Sequence, residues 1–185
     1  MSVLDWLFIG VSIWWVGEFI FFRNRGDGKG DATETRTFVT IFAALLLTIS
    51  VAMVLQEMRR FDSMILPLQA AGFLLFATGV LLRYWGIIHL KNQFTRHVTV
   101  RDGDEIVSSG PYRILRHPLY TGLLFIGIGM ALFFTSIFSA IVGGFILASV
   151  LLKRIRYEEK LLISKFGSDY EEWMNRRWRL VPYIY

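Results

Sequence analysis

The chain has no cysteine among its 185 residues. Disulfides, thiolate metal sites and a cysteine nucleophile are therefore excluded. Histidine is scarce too. His89, His97 and His117 stand in none of the spacings that hold a metal, so no metal site is expected. Charge is thin, at 19% Asp, Glu, Lys and Arg, where a soluble domain carries about 25%. No basic stretch precedes the first apolar segment: Asp5 is the only charge before Glu18, and no small-residue cleavage site follows. That segment is expected to be a retained helix and not a signal peptide.

What the chain does hold is apolar surface, gathered in blocks. It is 54% hydrophobic and 16% aromatic, with a mean hydropathy of +0.47, and the blocks have the length of membrane spans. The net charge of +5 and pI near 9.7 would also suit nucleic acid. However, the basic residues flank the apolar blocks and form no basic face, so membrane lipid and membrane orientation account for them and nucleic-acid binding is not expected.

Apolar runs predict spans over Val3–Phe22, Phe38–Leu55 and Met64–Leu82, since about 20 helical residues cross a hydrocarbon core of about 30 Å. The third is expected to continue through Arg83-Tyr84-Trp85 as an interfacial anchor. The run Leu119–Leu152 is too long for one crossing, and Thr135-Ser136 with Ser139 supplies a turn. It therefore reads as a hairpin of Leu119–Phe134 and Ile137–Leu152, with Gly122, Gly127 and Gly129 facing Gly143 and Gly144 for close approach. The expected fold is all-α and integral to the membrane, with five transmembrane helices, a tight C-terminal hairpin, a cytosolic cofactor-binding segment and a C-terminal amphipathic helix. Residues 1–82 form three N-terminal spans and residues 83–185 the region that carries the chemistry. Seventeen Lys and Arg fall in loop 23–36, segment 91–116 and the tail from Lys153, against Arg59 and Arg60 on the other side. That asymmetry puts the polar segments in the cytoplasm and the N-terminus outside.

Two polar clusters stand out. Gly110-Pro-Tyr-Arg-Ile-Leu-Arg-His-Pro-Leu-Tyr120 joins a turn, a basic cluster and a helix start with Pro118 at the first helical position. Free N–H groups there, beside Arg116 and His117, would seat a carboxylate. His117 and Tyr120 share a helix face. Snorkelling and interfacial anchoring account for the same residue types equally well. At the hairpin's return, Arg154 and Glu158 stand four apart with Glu159 adjacent. A solubility pair would look the same, but carboxylates at a cytoplasmic interface suit a cationic or hydroxyl-bearing partner better. The hairpin brings both clusters to one membrane surface, a place for a charged cofactor beside a lipid substrate. Beyond Lys160, Leu161, Leu162, Phe166, Tyr170, Trp173 and Trp178 read as one amphipathic helix with an aromatic end, lying on the membrane or capping that site.

Ser109-Gly-Pro-Tyr-Arg-Ile-Leu-Arg-His-Pro-Leu-Tyr120, the apolar hairpin, and Tyr157-Glu-Glu-Lys-Leu-Leu-Ile-Ser-Lys-Phe-Gly-Ser-Asp-Tyr170 together resemble the isoprenylcysteine carboxyl methyltransferase family. The wider phospholipid methyltransferase group shares the R-H-P-x-Y and E-E elements. The resemblance covers residues 83–185 and implies S-adenosyl-L-methionine as methyl donor at the cytosolic end of the hairpin. Carried over by position, it implies that Asp104, Glu105, Ile106, Val107 and Tyr112 line the cofactor pocket. His117, Pro118, Leu119 and Tyr120 would touch the amino-acid or adenosyl part. Glu158 or Glu159 would bind from the other side, and Arg154 would face the methyl acceptor. The acceptor implied is lipophilic, an isoprenylcysteine-type carboxylate or a small isoprenoid or phenolic lipid. Phospholipid N-methylation and a non-enzymatic helical membrane protein are the alternatives; the oligomeric state is not legible.

Overall fold

The computed structural model describes residues 2–22, 32–56, 65–94 and 103–184. Among them the order is α1 (Val3–Phe21), α2 (Ala32–Gln56), α3 (Ile65–Leu90), single 3₁₀ turns at Lys91–Gln93 and Gly110–Arg113, α4 (Pro118–Phe133), α5 (Ile137–Phe166) and α6 (Ser168–Asn175). There is no strand among the described residues; Leu115 and Trp178 form one isolated parallel bridge. Arg23, Arg25, Lys29, Arg59, Arg60, Met64, Arg96, His97 and Arg101, which entered the span limits, the charge asymmetry or the histidine spacing, lie outside the described residues.

Each helix starts and stops where its residues require. Ser2 and Asp5 close a reciprocal capping box on α1, with the Asp5 N–H donating to Ser2 Oγ (3.2 Å) and the Ser2 N–H to Asp5 Oδ2 (2.6 Å). Pro118 opens α4 at its first position, where a missing N–H costs nothing. The hairpin turn falls at Phe134-Thr135-Ser136: Thr135 takes a left-handed conformation (φ 59°), and Ser136 caps α5.

Helices α1, α2, α3 and α5 are long and apolar enough to cross a bilayer. Helix α4 has 16 residues, about 24 Å, shorter than a hydrocarbon core. It is also the most enclosed helix, packed by α2, α3 and α5, so it need not match the lipid around the bundle. Outward side chains such as Ile20, Leu46, Leu66, Ile141 and Phe145 are exposed, the surface a bilayer covers. Inside, Phe8 of α1 stacks on Phe133 of α4 at 3.9 Å between ring centres and meets Phe76 of α3 at 5.0 Å.

Three expectations need correction. The closest helix pair is α3 with α4, not the two arms of the hairpin. Gly72, Gly79 and Gly86 recur every seven residues on α3, as do Gly122 and Gly129 on α4. A Cβ on Gly79 would stand 2.6 Å from the Gly122 carbonyl oxygen, and one on Gly129 2.5 Å from the Phe76 nitrogen. Gly143 packs on Thr48 of α2, leaving only Gly127 and Gly144 between α4 and α5. Second, α5 does not end near Leu152. It runs 30 residues, about 45 Å, so Arg154, Glu158 and Glu159 sit on a rigid extension of a membrane helix. The tail past Lys160 is therefore not one helix: Gly167, at φ 56°, breaks α5 from α6. Third, Arg83 is no interfacial anchor. It is buried, for reasons given below.

Candidate active site

One cavity opens at the end of the bundle where α1 and α3 finish and α2 and α4 begin. Its walls carry Phe19, Phe38, Leu90 and His117, together with Arg154 and Glu158 of α5 and Tyr170 and Trp173 of α6. Successive helices run in alternating directions, so the ends of α1, α3 and α5 and the starts of α2 and α4 share one side, and residues far apart in sequence meet there.

Of the residues expected from sequence, Asp104, Glu105, Ile106, Val107, Tyr112, His117, Leu119, Tyr120, Arg154 and Glu158 line the cavity. Tyr120 joins the two motifs: its hydroxyl donates to Glu158 Oε2 at 2.6 Å and accepts from Arg154 Nε at 3.0 Å. The His117 ring lies 5.7 Å from the Tyr120 ring. Asp104–Val107 form another part of the wall, held by the Glu105 N–H donating to Gln93 Oε1 (2.9 Å) and, next along the chain, by Trp173 Nε1 donating to Ser108 Oγ (2.8 Å).

Pro118 and Glu159 are not on the cavity wall. Pro118 is fully buried and faces Gly86 of α3. Glu159, one residue beyond Glu158, turns about 100° around the helix and meets the C-terminal tail. Its carboxylate accepts from Arg116 Nη1 (3.2 Å), Arg179 Nε (3.1 Å) and Arg179 Nη2 (2.9 Å), with His117 Nε2 at 3.3 Å. A carboxylate only accepts, which assigns the proton of that contact to Nε2. The tail is fastened further: the Arg116 N–H donates to the Trp178 carbonyl (2.8 Å), the Trp178 N–H to Ile114 (2.9 Å), Thr121 Oγ1 to Leu180 (2.6 Å) and Arg177 Nε to Tyr112 (2.7 Å). Adjacent glutamates thus do different work, one in the cavity and one behind it.

Two phenols at the site keep their protons. Burial pushes the Tyr112 hydroxyl well above its ordinary value, with the Glu158 carboxylate adding and Arg83 opposing. Burial also raises Tyr170, reinforced by Glu158 and Glu159. Neither is a base near neutral pH.

Sequence reasoning missed several walls. Phe42 and Phe94, like Phe19 and Phe38, add apolar surface to the cavity wall. Helical periodicity reads such phenylalanines as ordinary span residues, so no sequence signal separates them. Arg83 also lines the cavity; its signal was a charge inside an apolar run, matched by Glu18 in α1. Leu162, Phe166, Tyr170 and Trp173 of the expected amphipathic tail line the cavity.

Fold and cavity define an integral membrane protein with a partly polar cavity lined by residues near the ends of its helices. The chain belongs to the isoprenylcysteine carboxyl methyltransferase family, whose profile matches residues 70–164, and it is a methyltransferase. Similar proteins include a probable protein-S-isoprenylcysteine O-methyltransferase of Oryza sativa subsp. indica, 24% identical over 97% of this chain and 96% of its own length. Protein-S-isoprenylcysteine O-methyltransferase B of Arabidopsis thaliana is 26% identical over 98% and 93%. The protein-S-isoprenylcysteine O-methyltransferase of Saccharomyces cerevisiae is 32% identical over 52% and 42%.

Proposed function

We propose that the protein methylates the carboxylate of an isoprenylcysteine-type lipophilic acceptor, using S-adenosyl-L-methionine bound in the cavity at the cytoplasmic end of the bundle. The observation that carries this reading is the 2.6 Å bond from Tyr120 to Glu158, which joins two distant polar motifs at a cavity that is also lined by phenylalanines. The relatives' names supply the acceptor class.

The residues suit the donor. When bound, S-adenosyl-L-methionine supplies an electrophilic methyl on a sulfonium. Glu158 offers a carboxylate for its ammonium or ribose hydroxyls, and no side chain caps the α4 N-terminus, which suits its carboxylate. The aromatic rings of Tyr112 and Tyr120 at the cavity wall favour a cation. An acceptor carboxylate is already ionised near neutral pH, so no general base is needed, consistent with phenols that hold their protons. Arg154, fixed through Tyr120, orients that carboxylate, and the work of the site is alignment and exclusion of water. The prenyl chain lies along Phe19, Phe38 and Phe42.

Purified protein is expected to bind S-adenosylhomocysteine, with Glu158→Ala and His117→Ala each weakening binding at least tenfold, about 1.4 kcal/mol. Unchanged affinity in both variants removes the site. Membranes given methyl-labelled donor should label carboxyl esters; label confined to phosphatidylethanolamine derivatives would replace this acceptor with a phospholipid amine.

A further inference from the structure

Glu18 and Arg83 are opposite charges set inside apolar spans. Glu18 belongs to α1, outside the matched profile, and is 1% exposed; Arg83 belongs to α3 and is 8% exposed. Ionisable groups at such depth are costly and persist where they have a task. Here the guanidinium is used on all three nitrogens. Nε donates to Glu18 Oε2 at 2.7 Å, Nη2 pairs with Glu18 Oε1, and Nη1 donates to the Leu119 carbonyl at 3.2 Å. Leu119 lies in the first turn of α4, between His117 and Tyr120. Gly122 leaves the passage that this requires, since a Cβ there would stand 2.5 Å from Arg83 Cγ.

We infer that Glu18 and Arg83 are positioning residues for the site: α1, through its carboxylate, orients the Arg83 fork so that its remaining arm pins the α4 first turn bearing His117 and Tyr120. The inference deepens the proposed function and rests on it for the role of that turn. The fork geometry is essential. An ammonium could neutralise Glu18, but it has no planar arrangement for two carboxylate oxygens and a carbonyl on a third element. The pair is neutral as a whole, so it adds no net charge beside the cavity.

The test compares the native protein with Arg83→Lys and with the double variant Glu18→Leu/Arg83→Met. The double variant strands no buried charge and is expected to fold. Three quantities are measured in detergent: melting temperature, amide hydrogen exchange of residues 118–123 without ligand, and affinity for S-adenosylhomocysteine. Both variants are expected to melt within a few degrees of the native protein, exchange in the α4 first turn at least tenfold faster, and bind S-adenosylhomocysteine several-fold more weakly. Native-like exchange and affinity in either folded variant overturns the inference, because a pair serving only to bury charge would leave that turn unmoved. Should the double variant fail to fold, Arg83→Lys alone decides. If the native protein itself fails to bind S-adenosylhomocysteine, the proposed function falls, while the exchange measurement still judges the pair.

Discussion

Glu158 and Glu159 are neighbours of identical chemistry, and the geometry separates them. Glu158→Gln keeps the Tyr120 contact but removes the charge in the cavity, so donor affinity should fall at least tenfold while the melting temperature holds. Glu159→Gln leaves Arg116 and Arg179 facing an uncharged amide at a carboxylate that is 7% exposed. It should cost about 3 kcal/mol of stability and free the tail to limited proteolysis. Equal loss of stability in both variants would contradict the assignment. Sequence put both glutamates at the hairpin's return but had no means to tell them apart, because a helix turned by one residue presents a different face and only the packing says which face is which. Tyr112 and Tyr170 give a second test. Their phenols titrate above the ordinary value of 10.0, so at alkaline pH the folded chain binds more protons than the unfolded one. Their contribution to stability is fully present below pH 10 and is lost as pH rises through the folded values. Melting temperatures that stay level from pH 10 upward would contradict the burial of these hydroxyls.

At the scale of elements, α3 and α4 are joined through backbone contact. Gly79→Ala places a methyl 2.6 Å from the Gly122 carbonyl oxygen and 2.9 Å from the Ile126 nitrogen, both backbone atoms that cannot rotate away. It should destabilise by roughly 1–3 kcal/mol. Gly10→Ala, with nothing within 4 Å of its Cβ position, should be neutral; the comparison of melting temperatures checks both. The glycines were visible in the sequence as permission for close approach, but their spacing of seven on both α3 and α4 was not used, and the partner was misassigned. Chain adjacency suggested the hairpin arms. The physical partner was the helix whose small residues match in register.

For the whole molecule, the absence of cysteine becomes useful, because single introduced thiols report sidedness without background. Ser2→Cys and Lys165→Cys lie at opposite ends of the bundle, on the capping turn of α1 and on the exposed extension of α5. In intact cells a membrane-impermeant maleimide should label Ser2→Cys and spare Lys165→Cys until the membrane is opened. The reverse pattern would place the cavity on the outer face and contradict the orientation drawn from lysine and arginine counts.

Local chemistry was sufficient for the spans, the hairpin turn, the start of α4 and the identity of both polar motifs, because hydropathy, proline and capping residues act over a few positions. Contacts across the bundle were decided only by the tertiary structure: the phenylalanines on the cavity wall, the tail bound to Glu159, and Arg83 paired with Glu18. A buried charge is set by the group opposite it, sixty-five residues away in this chain, and no local pattern carries that information.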